Sequence, residues 1–311
     1  MLGYGTWGIG GIEYGPLKKN HAINLLNHSY KKGIRFFDTA PLYGHGKVLK
    51  IISEFIKKKN RKNFILCSKC GMKPHTGFKM PQDFSEKFIK NDCIKTLEIL
   101  KTQYLDIMLM HSPDINIIDK KEATNSLLKL KNQNLVKKIG ISVRSPSDIK
   151  KFGKLIKNFD YVEFNFNLLD QRALDDDTFN ILKKFKIKSI CRTPLGFGFL
   201  SDKDIKKKNI TKGDHRLNWS SEQFENWNFY KKFFYFYQLK YNLNSLSELA
   251  ILFCLSHNFE FVIPGMMSLQ EIDLNIRTSK LKKINHKDLK DMYKMYKLIN
   301  DKIFVQKRVR S

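Results

Sequence analysis

The sequence predicts an α/β protein whose parallel strands close into a (β/α)8 barrel. Short apolar segments alternate with longer segments of helical period, and this alternation repeats eight times along the 311 residues. An open dinucleotide-binding sheet is disfavoured, because no G-x-G-x-x-G motif lies between the first strand and the first helix, and Gly8-Ile9-Gly10-Gly11 has the wrong spacing. Eight β/α units in a chain of this length are typical of a closed barrel.

The strands and helices follow from hydrophobic periodicity. Short apolar runs predict strands at residues 2–6, 35–38, 64–69, 105–111, 138–142, 161–164, 188–192 and 261–264. Apolar residues at helical spacing predict helices at residues 17–32, 47–58, 85–101, 124–134, 147–157, 178–185, 245–257 and 268–280. Ser245 and Ser268 suit helix starts, because a serine hydroxyl can accept a hydrogen bond from a free backbone N–H.

Two segments extend beyond a minimal barrel. Residues 201–240 form a long insertion after strand seven, and a loop of this length is expected to cover or shape the barrel mouth. Its aromatic run at residues 233–237 is expected to pack a helix onto the barrel rather than to stack on a ligand. Residues 286–303 predict an added C-terminal helix. No linker or low-complexity segment divides the chain, so residues 1–311 are predicted to form a single domain.

Composition limits the class of function. The formal charge of +27 comes from lysines spread over many helix ends and loops, which indicates a solvated lysine-rich surface rather than a nucleic-acid site. No stretch approaches the roughly 20 apolar residues of a membrane span, and the N-terminus lacks the features of a signal peptide. These observations predict a cytoplasmic protein without membrane or nucleic-acid partners, and oligomeric state is not readable.

Four polar residues lie at or just after successive strand ends: Asp38, Tyr43, Lys69 and His111. A tyrosine hydroxyl can donate a proton to a developing alkoxide if its pKa is lowered, and a lysine ammonium nearby favours the phenolate. An aspartate keeps the lysine charged, and a histidine can orient a carbonyl oxygen. With a hydride donor alongside, this set reduces an aldehyde or ketone to an alcohol.

Some of these residues also suit other interpretations. His111 precedes Ser112-Pro113-Asp114 and would also suit a turn. No cluster of His, Asp and Glu has zinc spacing, so no metal site is predicted, and a G-x-S-x-G nucleophile motif is absent from the sequence. Cys67 and Cys70 form a C-x-x-C pair, which is interpreted as two reduced cysteines in or near a strand.

At this point the chain resembles the aldo-keto reductase family over nearly its whole length. The carrying motifs are Gly3-Tyr4-Gly5-Thr6-Trp7-Gly8, Phe37-Asp38-Thr39-Ala40-Pro41-Leu42-Tyr43-Gly44, Ile139-Gly140-Ile141-Ser142, Asn167-Leu168-Leu169-Asp170, Pro194-Leu195-Gly196-Phe197-Gly198-Phe199-Leu200, Gly213-Asp214-His215-Arg216 with Trp219, and Ile263-Pro264-Gly265. The resemblance, closest to a bacterial subgroup, implies a TIM barrel that binds a nicotinamide dinucleotide, usually NADP(H), without a Rossmann domain.

The resemblance also implies roles for particular residues. Tyr43 would be the proton donor, Lys69 and Asp38 would tune it, and His111 would orient the carbonyl. The residues that it assigns to cofactor binding are Thr6, Trp7, Ser142, Glu163, Arg192, Pro194, Leu195, Gly196, Gly198, Arg216, Gly265, Met267, Glu271 and Asn275.

Several positions depart from the family pattern. The strand and turn that commonly plug the barrel bottom are expected to be missing, which leaves the floor either exposed or covered by another element. Glu163 stands where a glutamine commonly contacts the nicotinamide carboxamide, and Arg192 where an aromatic ring often lies. Met267 and Glu271 stand where members often have a cation for the 2′-phosphate and a glutamine near the adenine. A carboxylate repels that phosphate but accepts from a free ribose hydroxyl, which predicts a weakened preference for NADPH and use of NADH.

The leading prediction is a reductase acting on a small carbonyl compound with NADP(H) or NAD(H). The alternative is a cofactor-binding regulatory subunit of the same family with weak or no turnover, which the departures at Glu163 and Met267 favour and the intact set of four residues opposes.

Overall fold

The structure is a computed structural model that describes residues 1–74, 80–116 and 118–303. Its eight strands run parallel in one sheet, each paired with the next along the chain: β1 (Tyr4–Gly5), β2 (Phe36–Asp38), β3 (Ile65–Cys70), β4 (Leu105–His111), β5 (Val136–Ser142), β6 (Tyr161–Asn165), β7 (Lys188–Arg192) and β8 (Phe261–Ile263). The two edges meet, because the Gly3 N–H donates to the Val262 carbonyl (2.8 Å) and the Gly5 N–H donates to the Pro264 carbonyl (3.0 Å). The predicted (β/α)8 barrel is confirmed.

The helices of the described residues surround this barrel. They are α1 (Lys19–Lys31), α2 (Lys47–Ile56), α3 (Glu86–Leu100), α4 (Lys120–Asn132), α5 (Arg172–Asp175), α6 (Thr178–Lys184), α7 (Ser221–Tyr230), α8 (Tyr235–Lys240), α9 (Leu246–Ser256), α10 (Leu269–Thr278) and α11 (His286–Ile303). Ser245 and Ser268 cap α9 and α10, and each hydroxyl accepts a backbone N–H three residues later at 3.2 Å. None of these helices combines the length and apolarity that crossing a bilayer requires.

One predicted helix takes another form. The segment Pro146–Asn158 is 3-10 helix, and Gly153 interrupts it with φ 52° and ψ −130°. Ile149, Phe152 and Ile156 are nevertheless buried, which explains why their spacing predicted an α-helix. The pattern reports which side of the segment faces the barrel, whereas the glycine decides the backbone geometry.

Aromatic side chains from the strands themselves fill the barrel floor. The Phe36 ring stacks on Phe261 with centroids 3.9 Å apart, and the centroids of Tyr161 and Phe261 are 6.3 Å apart. Each of these residues is the first of its strand, and all three side chains are buried. The floor is therefore closed by residues of β2, β6 and β8.

The insertion buries some of its aromatic side chains and leaves others exposed. Phe199 contacts Trp219, Phe224 and Trp227, with ring centroids 5.2–5.8 Å apart. The Trp227 indole N–H donates to the Ile303 carbonyl (2.9 Å), which joins α7 to the end of α11. Within the run 233–237, Phe234 and Tyr237 are buried while Phe233 and Phe236 are exposed.

Candidate active site

The four predicted catalytic residues meet at the C-terminal end of the barrel. Asp38 and His111 are the last residues of β2 and β4, and Lys69 is the penultimate residue of β3. Tyr43 follows β2 in a loop that turns back towards the barrel at Gly44, which has φ 58°. A Cβ on Gly44 would lie 2.7 Å from the Gly10 Cα, so only glycine fits this approach.

Asp38 and Lys69 form a buried ion pair, with side chains 4% and 1% exposed. The Lys69 ammonium also donates to the Thr39 carbonyl (3.3 Å) and lies 3.6 Å from a Glu163 carboxylate oxygen. Burial opposes the charged ammonium, but the carboxylates of Asp38 and Glu163 outweigh it and hold the pKa of Lys69 well above its usual value. Lys69 is therefore charged across the physiological range.

The Asp38 carboxyl titrates much higher than an ordinary aspartate. Burial raises its pKa to about 7, although the Lys69 ammonium works in the opposite direction, and the nearby Glu163 carboxylate adds to the rise. Two carboxylates around one ammonium explain why the cation does not fully offset burial.

Tyr43 lies beside this ion pair. The Lys69 ammonium is 5.3 Å from the centroid of the Tyr43 ring. Burial raises the pKa of Tyr43, Lys69 opposes that rise, and Asp38 and Glu163 reinforce it. The His111 ring meets Tyr43 edge-on with centroids 6.1 Å apart. The arrangement can supply a proton from a tyrosine whose acidity depends on the lysine.

Ser142, Glu163 and Arg192 form a polar wall: Ser142 and Arg192 end β5 and β7, and Glu163 is the middle residue of β6. The Ser142 hydroxyl donates to Glu163 Oε1 (2.7 Å), and the Arg192 guanidinium donates to the Val143 carbonyl (2.8 Å). Glu163 Oε2 and Arg192 Nε are buried without a hydrogen-bond partner. The carboxylate oxygen can accept a hydrogen bond from a bound polar group, and the guanidinium N–H can donate one to it.

The loop after β7 and the insertion meet through Arg216. This guanidinium pairs with Asp214 (2.6 Å) and donates to the Phe197 carbonyl (3.0 Å). Pro194, Leu195 and Gly196 precede that carbonyl in the same loop, and a Cβ on Gly198 would lie 3.3 Å from the Arg216 side chain. The structure thus brings these predicted cofactor-binding residues together.

A second group of predicted cofactor-binding residues lies after β8. Gly265 is exposed, Asn275 is buried on α10, and the Glu271 carboxylate accepts the Met267 N–H (2.6 Å) at the start of that helix. Met267 packs against Gly8, because a Cβ on that glycine would lie 2.7 Å from the methionine sulfur.

Thr6 and Trp7 follow β1 at the same end of the barrel. The Thr6 hydroxyl donates to the Asp38 carbonyl (2.7 Å), so it supports the strand end that carries the aspartate. Trp7 is half-buried, and its ring lies 6.4 Å from Tyr43.

Sequence reasoning did not identify the aromatic wall beside Tyr43. The rings of Tyr14 and His215 pack on Trp7 with centroids 5.4 Å and 4.6 Å away. Glu13 joins the two loops, since its carboxylate accepts the Gly44 N–H (3.1 Å) and its carbonyl accepts from His215. His215 belongs to the motif Gly213-Asp214-His215-Arg216, but its contact with Trp7 and Tyr14 joins loops far apart in the chain and follows from no local pattern. Within the described residues, no group of three or more His, Cys, Asp and Glu side chains has the geometry of a metal site.

Comparison with known proteins gives a consistent assignment. Residues 1–297 match the model of the Aldo/keto reductase family. The chain is 25% identical over 296 residues to the probable aldo-keto reductase 1 of Glycine max, and the match covers 94% of this chain and 84% of that protein.

Two solved structures have a similar fold. The glycerol dehydrogenase AKR11B4 from Gluconobacter oxydans gives a TM-score of 0.78 at 20% identity, covering 94% of this chain and 90% of that one. An aldo/keto reductase from Klebsiella pneumoniae in complex with NADP and acetate gives a TM-score of 0.69 at 16% identity, covering 95% and 90%.

Proposed function

Since the chain belongs to the aldo/keto reductase family, we propose that it reduces an aldehyde or ketone to an alcohol with Tyr43 as the proton donor. The observation that carries this proposal is the buried Asp38–Lys69 pair beside the Tyr43 ring. A charged lysine at this position makes the tyrosine a better acid than burial alone would allow.

The cofactor is a nicotinamide dinucleotide, which supplies a hydride when bound. The residues present fit such a group: the buried Glu163 Oε2 accepts no hydrogen bond and so suits an amide N–H, and Ser142 and Arg192 complete a polar wall beside it. At the other end, Gly265 leaves space next to the N-terminus of α10, where backbone N–H groups favour an anion. The NADP in the Klebsiella pneumoniae structure supports NADP(H) as the cofactor.

In the proposed reaction, Tyr43 protonates the oxygen that becomes the alcohol. His111 lies edge-on to Tyr43 and donates a hydrogen bond that orients the carbonyl oxygen. Lys69 stabilises the phenolate that Tyr43 leaves behind, and Asp38 keeps the lysine in place. The same residues serve alcohol oxidation, in which the phenolate accepts the proton.

We infer that the substrate is a small molecule that can lie against the rings of Trp7, Tyr14 and His215. Flat aromatic faces pack well on the C–H surface of short polyols and sugars. The name of the Gluconobacter oxydans structure, a glycerol dehydrogenase, supports a hydroxylated substrate class.

Tyr43→Phe tests the proton-donor role. The ring keeps its contacts with Trp7 and His111, so we expect the fold and cofactor affinity to remain while kcat/KM for carbonyl reduction falls by roughly 100-fold or more. Tyr161→Phe, on the barrel floor, is the matched control and should retain activity. Equal activity of Tyr43→Phe and the native protein would exclude Tyr43 as the donor. Cofactor binding without turnover in the native protein would instead favour a regulatory subunit.

A further inference from the structure

Lys69 has a second carboxylate partner besides Asp38. Glu163 Oε2 lies 3.6 Å from the Lys69 ammonium, and both side chains are 1% exposed. The two carboxylates reach the lysine from different strands, β2 and β6. One ammonium is therefore paired with two buried carboxylates.

Glu163 is held in this position from its other side. The Ser142 hydroxyl donates to Oε1, and Arg192 Nε lies 3.9 Å from the same oxygen. Glu163 Oε2, which faces the lysine, accepts no hydrogen bond. The charged and titratable groups around Glu163 come from β2, the loop after β2, β3 and β7, and they are Asp38, Tyr43, Cys67, Lys69, Cys191 and Arg192.

We propose that Glu163 is a positioning residue that holds Lys69 between two carboxylates and so limits the stabilisation that the lysine gives to the Tyr43 phenolate. The inference rests on the proposed function for its catalytic consequence, but the electrostatic coupling exists in the protein without substrate. Glu163 touches the lysine and acts on the tyrosine through it and through its own charge.

The direction of each effect follows from the charges. Glu163 contributes to the raised pKa of Asp38 and to the raised pKa of Tyr43. Removing its charge should lower both, because the remaining cation then acts on fewer anions. Coulomb's law at an effective dielectric constant of about 20 gives at least a roughly tenfold change in an ionisation constant for a unit charge within about 10 Å.

Glu163→Gln tests the coupling in the protein without cofactor. Glutamine keeps the shape of the side chain and an acceptor oxygen for Ser142. The protein is labelled with aspartate carrying 13C at the carboxyl carbon, and carboxyl shifts are followed by NMR from pH 4 to 9. Both proteins carry Asp92→Asn, because Asp92 is another aspartate with a raised pKa, about 6, and its titration would overlap that of Asp38. Asp38 should titrate near pH 7, and at least about one pH unit lower in the glutamine variant. An unchanged transition would overturn the proposal.

The pH dependence of alcohol oxidation provides the second measurement. With NADP+ as cofactor, kcat/KM should rise with the ionisation of Tyr43, and Glu163→Gln should move that rise to lower pH by about one unit. Glu163→Asp retains the charge and should keep the rise near the pH of the native profile. A fall in kcat without displacement of the profile would indicate a purely structural role and contradict the proposal. If the aspartate transition shifts but Tyr43→Phe remains active, the coupling stands and the proposed function fails.

Discussion

Replacing Lys69 with methionine removes the ammonium that lies between Asp38 and Glu163 but keeps a long unbranched side chain in the barrel. Both carboxylates then stay buried without that cation. The Lys69–Glu163 separation of 3.6 Å corresponds to about 4–5 kcal/mol at an effective dielectric constant of about 20. Breaking a buried ion pair by removing one partner costs a similar amount, about 3–5 kcal/mol. We therefore expect the free energy of unfolding at pH 8 to fall by about 3–5 kcal/mol.

The penalty should depend on pH in a defined direction. A carboxyl group whose pKa is higher in the folded protein than in the unfolded chain lowers the free energy of unfolding as the pH rises from the unfolded-state pKa to the folded-state pKa. The pKa of Asp38 is already raised to about 7 by burial, and loss of Lys69 raises it further. At pH 5 this carboxyl is protonated and needs no cation, so the cost of Lys69→Met should be at least about 1 kcal/mol smaller than at pH 8.

Urea unfolding at the two pH values, followed by fluorescence of the three tryptophans, measures both quantities. Lys231→Met is the matched control, because this buried lysine donates to the Ser201 and Lys203 carbonyls and pairs with Asp204, whose side chain is 40% exposed. Its cost should be the same at both pH values. If Lys69→Met lowered the free energy of unfolding equally at pH 5 and pH 8, Lys69 would not be the counter-ion of the buried carboxylates.

Two further changes test the cofactor end of the site and the barrel. Glu271→Gln removes a carboxylate from the first turn of α10 and should tighten the binding of NADPH two- to fivefold relative to NADH in fluorescence titrations. The native protein should prefer NADPH over NADH by less than about a hundredfold. A larger preference would refute the weakened discrimination predicted from Glu271. Gly140→Ala places a Cβ 2.1 Å from the Tyr161 carbonyl between β5 and β6, so little soluble protein is expected, whereas Gly265→Ala meets an ordinary contact of 3.9 Å and should fold with a normal circular dichroism spectrum.

The barrel was predictable because its signals are local. Alternating apolar runs and helical spacings marked the strands and most helices, and polar residues at strand ends marked Asp38, Lys69 and His111. The helix expected at residues 147–157 was wrong in type, because the apolar spacing reports burial and carries no information on the break at Gly153. The short helix α5 follows from no periodicity at all.

The barrel floor shows the limit of reasoning from family pattern. The family pattern predicted a floor that is exposed or covered by another element. Phe36, Tyr161 and Phe261 instead fill it from within. Each ring belongs to a different strand, so their stacking appears only when the sheet curves and brings β2, β6 and β8 together.

By itself, the sequence determined the (β/α)8 fold, the family resemblance and the identities of the four residues proposed for catalysis. Periodicity and strand-end chemistry depend on near neighbours in the chain, so they can be read without coordinates. Only the tertiary structure decided that Glu163 reaches Lys69 across the barrel, and that Tyr14 and His215 form a wall beside Tyr43. Burial and Coulomb coupling depend on distances between distant segments, and barrel closure sets those distances.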